Sequence, residues 1–471
     1  MRRPLAIQEM PLKIVGSTEF GRYPKISQEQ TFNMIISDNW LVPYAGYVKS
    51  ATLEEKGRGR ALFNSTRSNR LISVIDNNIY AIDENLVINK IANIETFNGD
   101  VFIDENDASQ IAICDKRNIY IYNYSLGTFQ KVTTDFVPGY VAFQDGYFIA
   151  SDLNNAQWRL SELNNGLVWP ADSSHVGLFQ TKPDNVIACV RVPGKENQLF
   201  VFGKTVTQHW TDIGYTLFPY QKSTGFNIDY GCLSAATIAS GDTFVVFLGT
   251  NEKSGPVIMV TDGGSFQQIS NDGINFKLAQ LKYPSESYGY LFKQDGHLFY
   301  TITFSNAEDN FSLTYDFNTK MFFTLCDEKM NHFIAKRVSY FDEKYYFVSF
   351  NDGCLYELNS NYMTYDGKEI PRIRVCPAIR QPNSEPFVVN YLSFPVEQGH
   401  ADEIQRIDLT ISNDGGVSFG NSLGMEMNSL GHRRSIFKRY GLGRSNDFTV
   451  QLRFWGHNRF VLSNGVVGVY Q

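Results

Sequence analysis

The sequence predicts an all-β fold: a six- or seven-bladed β-propeller with an N-terminal arm and a C-terminal β-sandwich-like domain. Three observations lead there. Runs of β-branched and aromatic residues come in pairs around short Asx- and Gly-rich turns, as in Leu71–Ile75, Asp76-Asn77-Asn78, Ile79–Ile82. Seven Asp-Gly and three Asn-Gly dipeptides punctuate the chain, both suited to the positive φ angles of tight hairpin turns. Hairpins begin near residues 70, 110, 141, 187, 236, 288 and 334, a spacing of roughly 40–50 residues, the length of a four-stranded blade. Almost nowhere does an apolar 3.6-residue period persist for a helix's length.

Residues 1–60 hold few hairpin pairs and many turn residues, including Gly57-Arg58-Gly59-Arg60. They read as an arm that packs on another domain or supplies a strand. The propeller is expected over 61–380, with Asp145-Gly146, Asp295-Gly296 and Asp352-Gly353 at hairpin turns. Seven hairpin starts favour seven blades, and radial closure leaves few exposed sheet edges. A string of separate sandwiches is the structural alternative. Pro377, Pro382 and Pro386 interrupt the strand pattern and mark a linker. Beyond it, Gln405–Ile411 and Thr449–Phe454 alternate polar and apolar residues, placing a β-sandwich domain at 387–471.

Composition bounds the function. The 471 residues are 43% hydrophobic and 14% aromatic, which excludes a largely disordered chain. A net charge of −7 argues against whole-surface attraction to nucleic acid or acidic lipid. No run of apolar residues is long enough to span a bilayer, so no membrane insertion is expected. The start, Met1-Arg2-Arg3-Pro4-Leu5-Ala6-Ile7, is basic, but Gln8 and Glu9 cut its apolar run, so the chain reads as made and kept in the cytoplasm or released by lysis. Six scattered cysteines without a Cys-x-x-Cys read as buried thiols.

Signatures of chemistry are missing. Gly441-Leu442-Gly443-Arg444-Ser445-Asn446 begins like a dinucleotide fingerprint but lacks its third Gly, and His-Glu-x-x-His does not occur. Asp104-Glu105-Asn106-Asp107 lacks the mid-loop Gly and closing Glu of a calcium hand. The expectation is therefore no enzyme, no catalytic residue, no metal and no cofactor. Ser412–Phe419 (SNDGGVSF) fits the Asp-box pattern of sialidase-like propellers, physically a hairpin whose Asp and Ser side chains bond the turn backbone. The other distinctive stretch is basic. Between Gly431 and Arg459 seven Lys or Arg face one acid, Asp447, so the segment carries +6 and the remainder −13. Such a segment is either a solvated strand face or an electrostatic contact with an acidic partner or with passing nucleic acid. Arg433, Arg434, Lys438, Arg439 and Arg444 are the candidate partner-binding residues, expected to serve protein contacts.

Further runs carry a family likeness. Asn197–Trp210 (NQLFVFGKTVTQHW) is followed by Phe218-Pro219-Tyr220, Gly225–Gly231, Asp242–Gly249 and Ser265–Ser270. Tyr23-Pro24-Lys25-Ile26-Ser27 with Asn33-Met34, and the end region from Ser412 through Lys438-Arg439-Tyr440-Gly441 to Phe454, fit the same order. The chain resembles the packaged-DNA stabilisation, or tail nozzle (hub), proteins of short-tailed bacteriophages. The resemblance implies a virion tail component made in the host cytoplasm. It implies a homohexameric ring below the portal and its adaptor, the head-to-tail connector, extending the DNA channel and retaining packaged DNA until ejection. Implied partners are that adaptor, a tail needle, tip or fibre/spike protein, and double-stranded DNA passing without sequence recognition. The alternative of another class is a carbohydrate-binding or sialidase-like propeller, supported by the Asp box and abundant aromatics.

Overall fold

Antiparallel sheets succeed one another along the chain and turn about a common centre. The computed structural model describes residues 7–21, 29–224, 228–398, 405–427 and 434–470. Five strands come first: β1 (Ile7–Leu12), β2 (Gln30–Phe32), β3 (Met34–Ser37), β4 (Trp40–Pro43) and β5 (Gly46–Thr52). Six blades are then built from consecutive segments: β6–β9 in 59–93, β10–β13 in 102–131, β14–β17 in 138–178, β18–β21 in 186–222, β22–β26 in 231–268 and β27–β30 in 288–325. A seventh is composite, with β31–β33 in 335–359 and β5 as its outer strand, antiparallel to β33 from Cys354↔Thr52 to Asn359↔Gly46. Neighbouring blades touch in turn, β19 meeting β22 between blades four and five and β23 meeting β27 between five and six, and β31 meets β6, so the propeller closes. Each hairpin start read from the sequence falls in its own blade.

Local turn chemistry explains the blades. Asp145 and Gly146 adopt φ 48° and 84°, and Asp295 and Gly296 adopt 49° and 82°, each pair closing a two-residue hairpin. Asp352-Gly353 also lies in a hairpin connection, between β32 (Lys344–Ser349) and β33 (Cys354–Asn359), but in a four-residue loop without positive φ. Asp272-Gly273 departs from the pattern. It opens the one α-helix among the described residues, α1 (Asp272–Ala279), whose cap Asn271 accepts a hydrogen bond from Ile274 N. The six cysteines are all buried and free, as read.

Charged side chains bolt the centre. Lys336, 7% exposed, donates to Asp100 at 2.9 Å and sits 3.8 Å from the Tyr288 ring centroid, while Lys116 approaches Asp100 at 3.2 Å. Burial works against the Asp100 carboxylate, but Lys336, Lys116 and Arg337 outweigh it and hold its pKa well below the usual range. The Arg337 guanidinium donates to Ala236 O at 2.7 Å and Gly289 O at 2.8 Å, tying blades five, six and seven together. The Gly57–Arg60 run, read as turn-rich arm, enters the first blade. Arg60 is 2% exposed and donates to Asp76, Thr96 and Gly99 carbonyls.

Beyond the seventh blade, a short hairpin, β34 (Thr364–Tyr365) and β35 (Lys368–Glu369), rests on β5 with Tyr365 stacked on Tyr47 at 4.6 Å. The last strands are β36 (Arg372–Val375), β37 (Phe387–Gln398), β38 (Gln405–Ser412), β39 (Leu423–Met427), β40 (Arg434–Ser445), β41 (Thr449–Trp455), β42 (Phe460–Leu462) and β43 (Gly465–Tyr470). They form two sheets with the chain's beginning. One runs β1-β43-β37-β42-β4-β3, with β40 added on β37; the other runs β2-β36-β41-β38-β39 and continues blade six through one parallel bridge, Phe32↔Thr324. Leu12, Met34, Leu41, Phe394, Leu409, Leu452 and Val467 share one core between them.

Strand pairing therefore cuts the chain differently from the boundaries at 60, 380 and 387. Strands β1 to β4 are not a separate arm but belong to the C-terminal sheets, and β36 joins those sheets before Pro377. The three prolines lie in the connection from β36 to β37. The partners sit at opposite ends of the sequence, so no local pattern marks them.

One buried ion fixes this union. The Arg374 side chain is inaccessible to solvent and donates to Ile14 O at 2.7 Å, Ser17 O at 2.9 Å, Thr31 Oγ1 at 3.0 Å and Glu29 Oε2 at 2.6 Å. A Cβ on Gly16 would lie 2.1 Å from an Arg374 terminal nitrogen, so only glycine lets the backbone wrap the guanidinium.

Two outcomes follow. Gly16→Ala must displace Arg374 from its partners and is expected to lower stability by about 2–4 kcal/mol in urea unfolding; an unchanged midpoint would contradict the packing. Asp100→Asn leaves Lys336 buried without its counter-ion and should cost about 3 kcal/mol at neutral pH. Because the folded-state pKa of Asp100 is lowered, its contribution is present at neutral pH and is lost as pH falls below about 4. The variant should accordingly show a flatter acid limb than the parent in the same measurement.

Candidate functional site

The basic C-terminal segment forms the ribbon β37–β40, two twelve-residue strands paired from Phe387↔Ser445 to Glu397↔Arg434 with a bulge between Val389 and Tyr391. Alternation along β40 sorts its side chains. Phe437 turns inward and stacks on Phe394 at 5.5 Å. Ile436, Lys438 and Tyr440 turn outward, with Ile436 70% and Tyr440 63% exposed. The Lys438 ammonium lies 4.3 Å from the centroid of Tyr391 and 5.2 Å from that of Tyr440. The Tyr391 hydroxyl in turn donates to Glu9, anchoring this face to β1. Among the described residues β40 pairs with β37 alone, so its other edge carries unpaired backbone groups.

The five candidate residues do not act as one cluster. Arg433 lies outside the described residues. Arg434 begins β40 opposite Glu397 in the register. Lys438 and Arg444 are exposed. Arg439 is half-buried and donates to Gly424 O at 3.2 Å, which ties β40 to β39 across a 350 Å³ cleft lined by Met425, Glu426, Ile436 and Phe437. The rest of the basic segment is engaged within the chain. Asp447 pairs with Arg380, Arg459 approaches Asp295 at 3.5 Å, and Arg453 lies 3.9 Å from the Trp455 ring. Reading charge alone missed Ile436, Tyr440 and Val388, the exposed apolar members of the ribbon. Apolar residues on both faces of a predicted strand were the available signal.

The Asp box is a turn device. Ser412 Oγ bonds Asp414 at 2.6 Å and accepts from Gly416 N at 2.8 Å, and Asp414 accepts from Ser418 N at 2.9 Å and Ser418 Oγ at 2.6 Å. The Ser412 and Ser418 hydroxyls hold the Asp414 carboxyl well below the usual range. These groups are spent inside the turn. No three His, Cys, Asp or Glu among the described residues are arranged to hold a metal ion.

The run Asn197–Trp210 builds blade four through β19 (Gln198–Gly203) and β20 (Thr207–Asp212). Trp210 packs edge-on against the fully buried Trp158 at 5.4 Å, with Phe218 and Tyr220 completing the cluster. Phe200 and Phe202 fill the neighbouring core with Phe247. These residues are structural. Over residues 21–362, from the N-terminal strands through the closed propeller, the chain matches the phage stabilisation family, described as Bacteriophage P22 Gp10, β-propeller. The chain belongs to that family. It is thus a phage structural protein with a β-propeller at its centre.

Solved structures overlap it more loosely. A streptogramin B lyase is 13% identical, covering 69% of this chain and 99% of its own, with a TM-score of 0.45. Virginiamycin B lyase from Staphylococcus aureus is 12% identical over 67% and 99%, at 0.46. The N-terminal domain of Nup159 is 11% identical over 71% and 99%, at 0.42. No curated protein matches the sequence.

Proposed function

We propose that this phage protein is a tail nozzle (hub) subunit, acting by assembly and without catalysis or cofactor. Six copies form a ring below the portal and its adaptor, extend the DNA channel, and hold packaged DNA behind a needle, tip or fibre/spike protein until ejection. Family membership supports the class of protein; the observation that carries the role is the β37–β40 ribbon. An edge strand with an outward Ile436-Lys438-Tyr440 face is suited to pairing with a second protein surface. The chain outside the basic segment carries −13, so a neighbouring copy supplies the complementary charge. An overall charge of −7 keeps duplex DNA from adhering, which suits a conduit.

The propeller's own axis is not the conduit in this reading. Its centre holds a void of only 140 Å³ lined by Leu62, Phe102, Ile103, Tyr140 and Arg337, so DNA passes between copies rather than through one. Basic residues packed on protein are also kept off the DNA path, where phosphate contacts slow passage.

The test reverses Lys438 and Arg444, the two exposed candidates, and spares Arg439, which braces β39. Lys438→Glu with Arg444→Glu is expected to leave circular dichroism and thermal unfolding unchanged. Ring formation, read by native mass spectrometry with portal–adaptor complexes, should fall at least about tenfold, the equivalent of about 1.4 kcal/mol. Undiminished assembly with altered DNA release would put the ribbon on the channel wall and overturn this assignment.

A further inference from the structure

In each blade the chain starts at the innermost strand and works outward, so the connections from third to fourth strand all emerge on one face of the propeller, near its rim. In blades one to four these connections are residues 83–87, 124–127, 161–175 and 213–219. They present Val87, Leu126, Leu163, Ile213, Tyr215 and Leu217, every one more than half exposed. Leu163 and Tyr215 both line a 340 Å³ cleft, so blades three and four share the patch. The corresponding turns of the next blades differ. Blade five has Asp262-Gly263-Gly264-Ser265, and the one apolar residue in that turn of blade six, Phe317, packs against Phe244 at 4.7 Å.

The same four connections hold Asp83, Glu84, Glu162 and Asp172 but neither Lys nor Arg, and so carry −4. Glu84, Glu162 and Asp172 are exposed. Nearer the axis these blades hold both signs, with Arg67, Arg70, Arg191 and Lys195 among Glu105, Asp107, Asp145 and Glu196, and Arg67 pairs with Asp107 at 2.5 Å. The excess negative charge therefore lies at the rim, beside the apolar side chains. Strand β40 has the converse make-up. It carries Arg434, Lys438, Arg439 and Arg444 and no acid, and turns Ile436 and Tyr440 outward. The two surfaces are opposite in charge, and each offers apolar area to the other. DNA is a poor occupant of the rim, since phosphates carry the same sign.

We propose that the rim of blades one to four receives the outward face of β40 from the next copy of this chain. The inference rests on the reading of β40 as the assembly edge and adds the surface that it meets. Position favours a second copy as the occupant. The second unit joins the propeller at blades six and seven, through Phe32↔Thr324 and through β5, and Arg459 reaches Asp295 of blade six. In a closed ring of seven, blades three and four stand across the axis from that junction. Ribbon and rim thus lie toward opposite ends of one molecule, and each copy gives its ribbon to one neighbour and its rim to another. Such a head-to-tail contact uses two different patches and closes into a ring when the rotation between copies allows.

Full-length protein assembled on portal–adaptor complexes tests it in two ways. Tyr215→Lys with Leu217→Lys, and separately Leu126→Lys on another blade, should leave circular dichroism and thermal unfolding unchanged and lower assembly at least about tenfold by native mass spectrometry. In rings built from mixed ¹⁴N and ¹⁵N copies, a carbodiimide should join Lys438 of one copy to Glu84, Glu162 or Asp172 of another. Rim variants that assemble like the parent, while reversal of Lys438 and Arg444 stops assembly, would overturn this inference and leave the ribbon reading standing. Assembly indifferent to both sets would overturn both. Lys438 joined between copies only to carboxylates outside the rim would also refute the contact. Rim variants that form rings but no longer take up a needle, tip or spike protein would give the surface to that partner instead.

Discussion

Everything in this molecule depends on its two ends meeting. Strand β5 supplies the outer strand of the seventh blade, and without it the Cys354–Asn359 edge would stand bare. The residues preceding it, β1 to β4, are strands of the C-terminal sheets, where Arg374 is wrapped by the backbone of 14–17 and met by Glu29. One stretch therefore closes the propeller and completes the second unit. Neither half of that union is local, so chain closure must precede the reward of burial, and such topologies fold slowly.

The propeller closed in this way has a filled middle. Lys336 bonds Asp100 and Arg337 bonds the Ala236 and Gly289 carbonyls, so charged side chains join blades across the centre. A rigid body of this kind suits a part that works by position. In the proposed nozzle role the surface for recognition is the ribbon, where β40 presents aromatic, aliphatic and cationic side chains together with an edge that is unpaired among the described residues. Natural edge strands are commonly blunted by lysine, and Lys438 on its two tyrosines does this while still offering a charge to a partner.

The blades were legible because their determinants are local. Asp145-Gly146 and Asp295-Gly296 need positive φ at both positions, and that requirement is written in the dipeptide. The seven hairpin starts survive in the structure for the same reason. The domain edges were not legible, because β1 and β43 are neighbours in space and opposite ends in sequence. Arg374 was equally hidden: arginine is ordinarily a surface residue, and only tertiary contacts show one fully buried. Within the candidate site, charge counting found Lys438 and Arg444 but could not separate them from Arg439, whose partner is a carbonyl on another strand.

The central claim is that the closed, rigid chain assembles through the free edge and outer face of β40. Hydrogen exchange of the isolated protein and of the same protein assembled on portal–adaptor complexes tests this most directly. The account predicts that backbone amides between Ile436 and Arg444 slow markedly on assembly while the blade interiors stay unchanged. Unaltered exchange across β40, with protection confined to propeller loops, would contradict it.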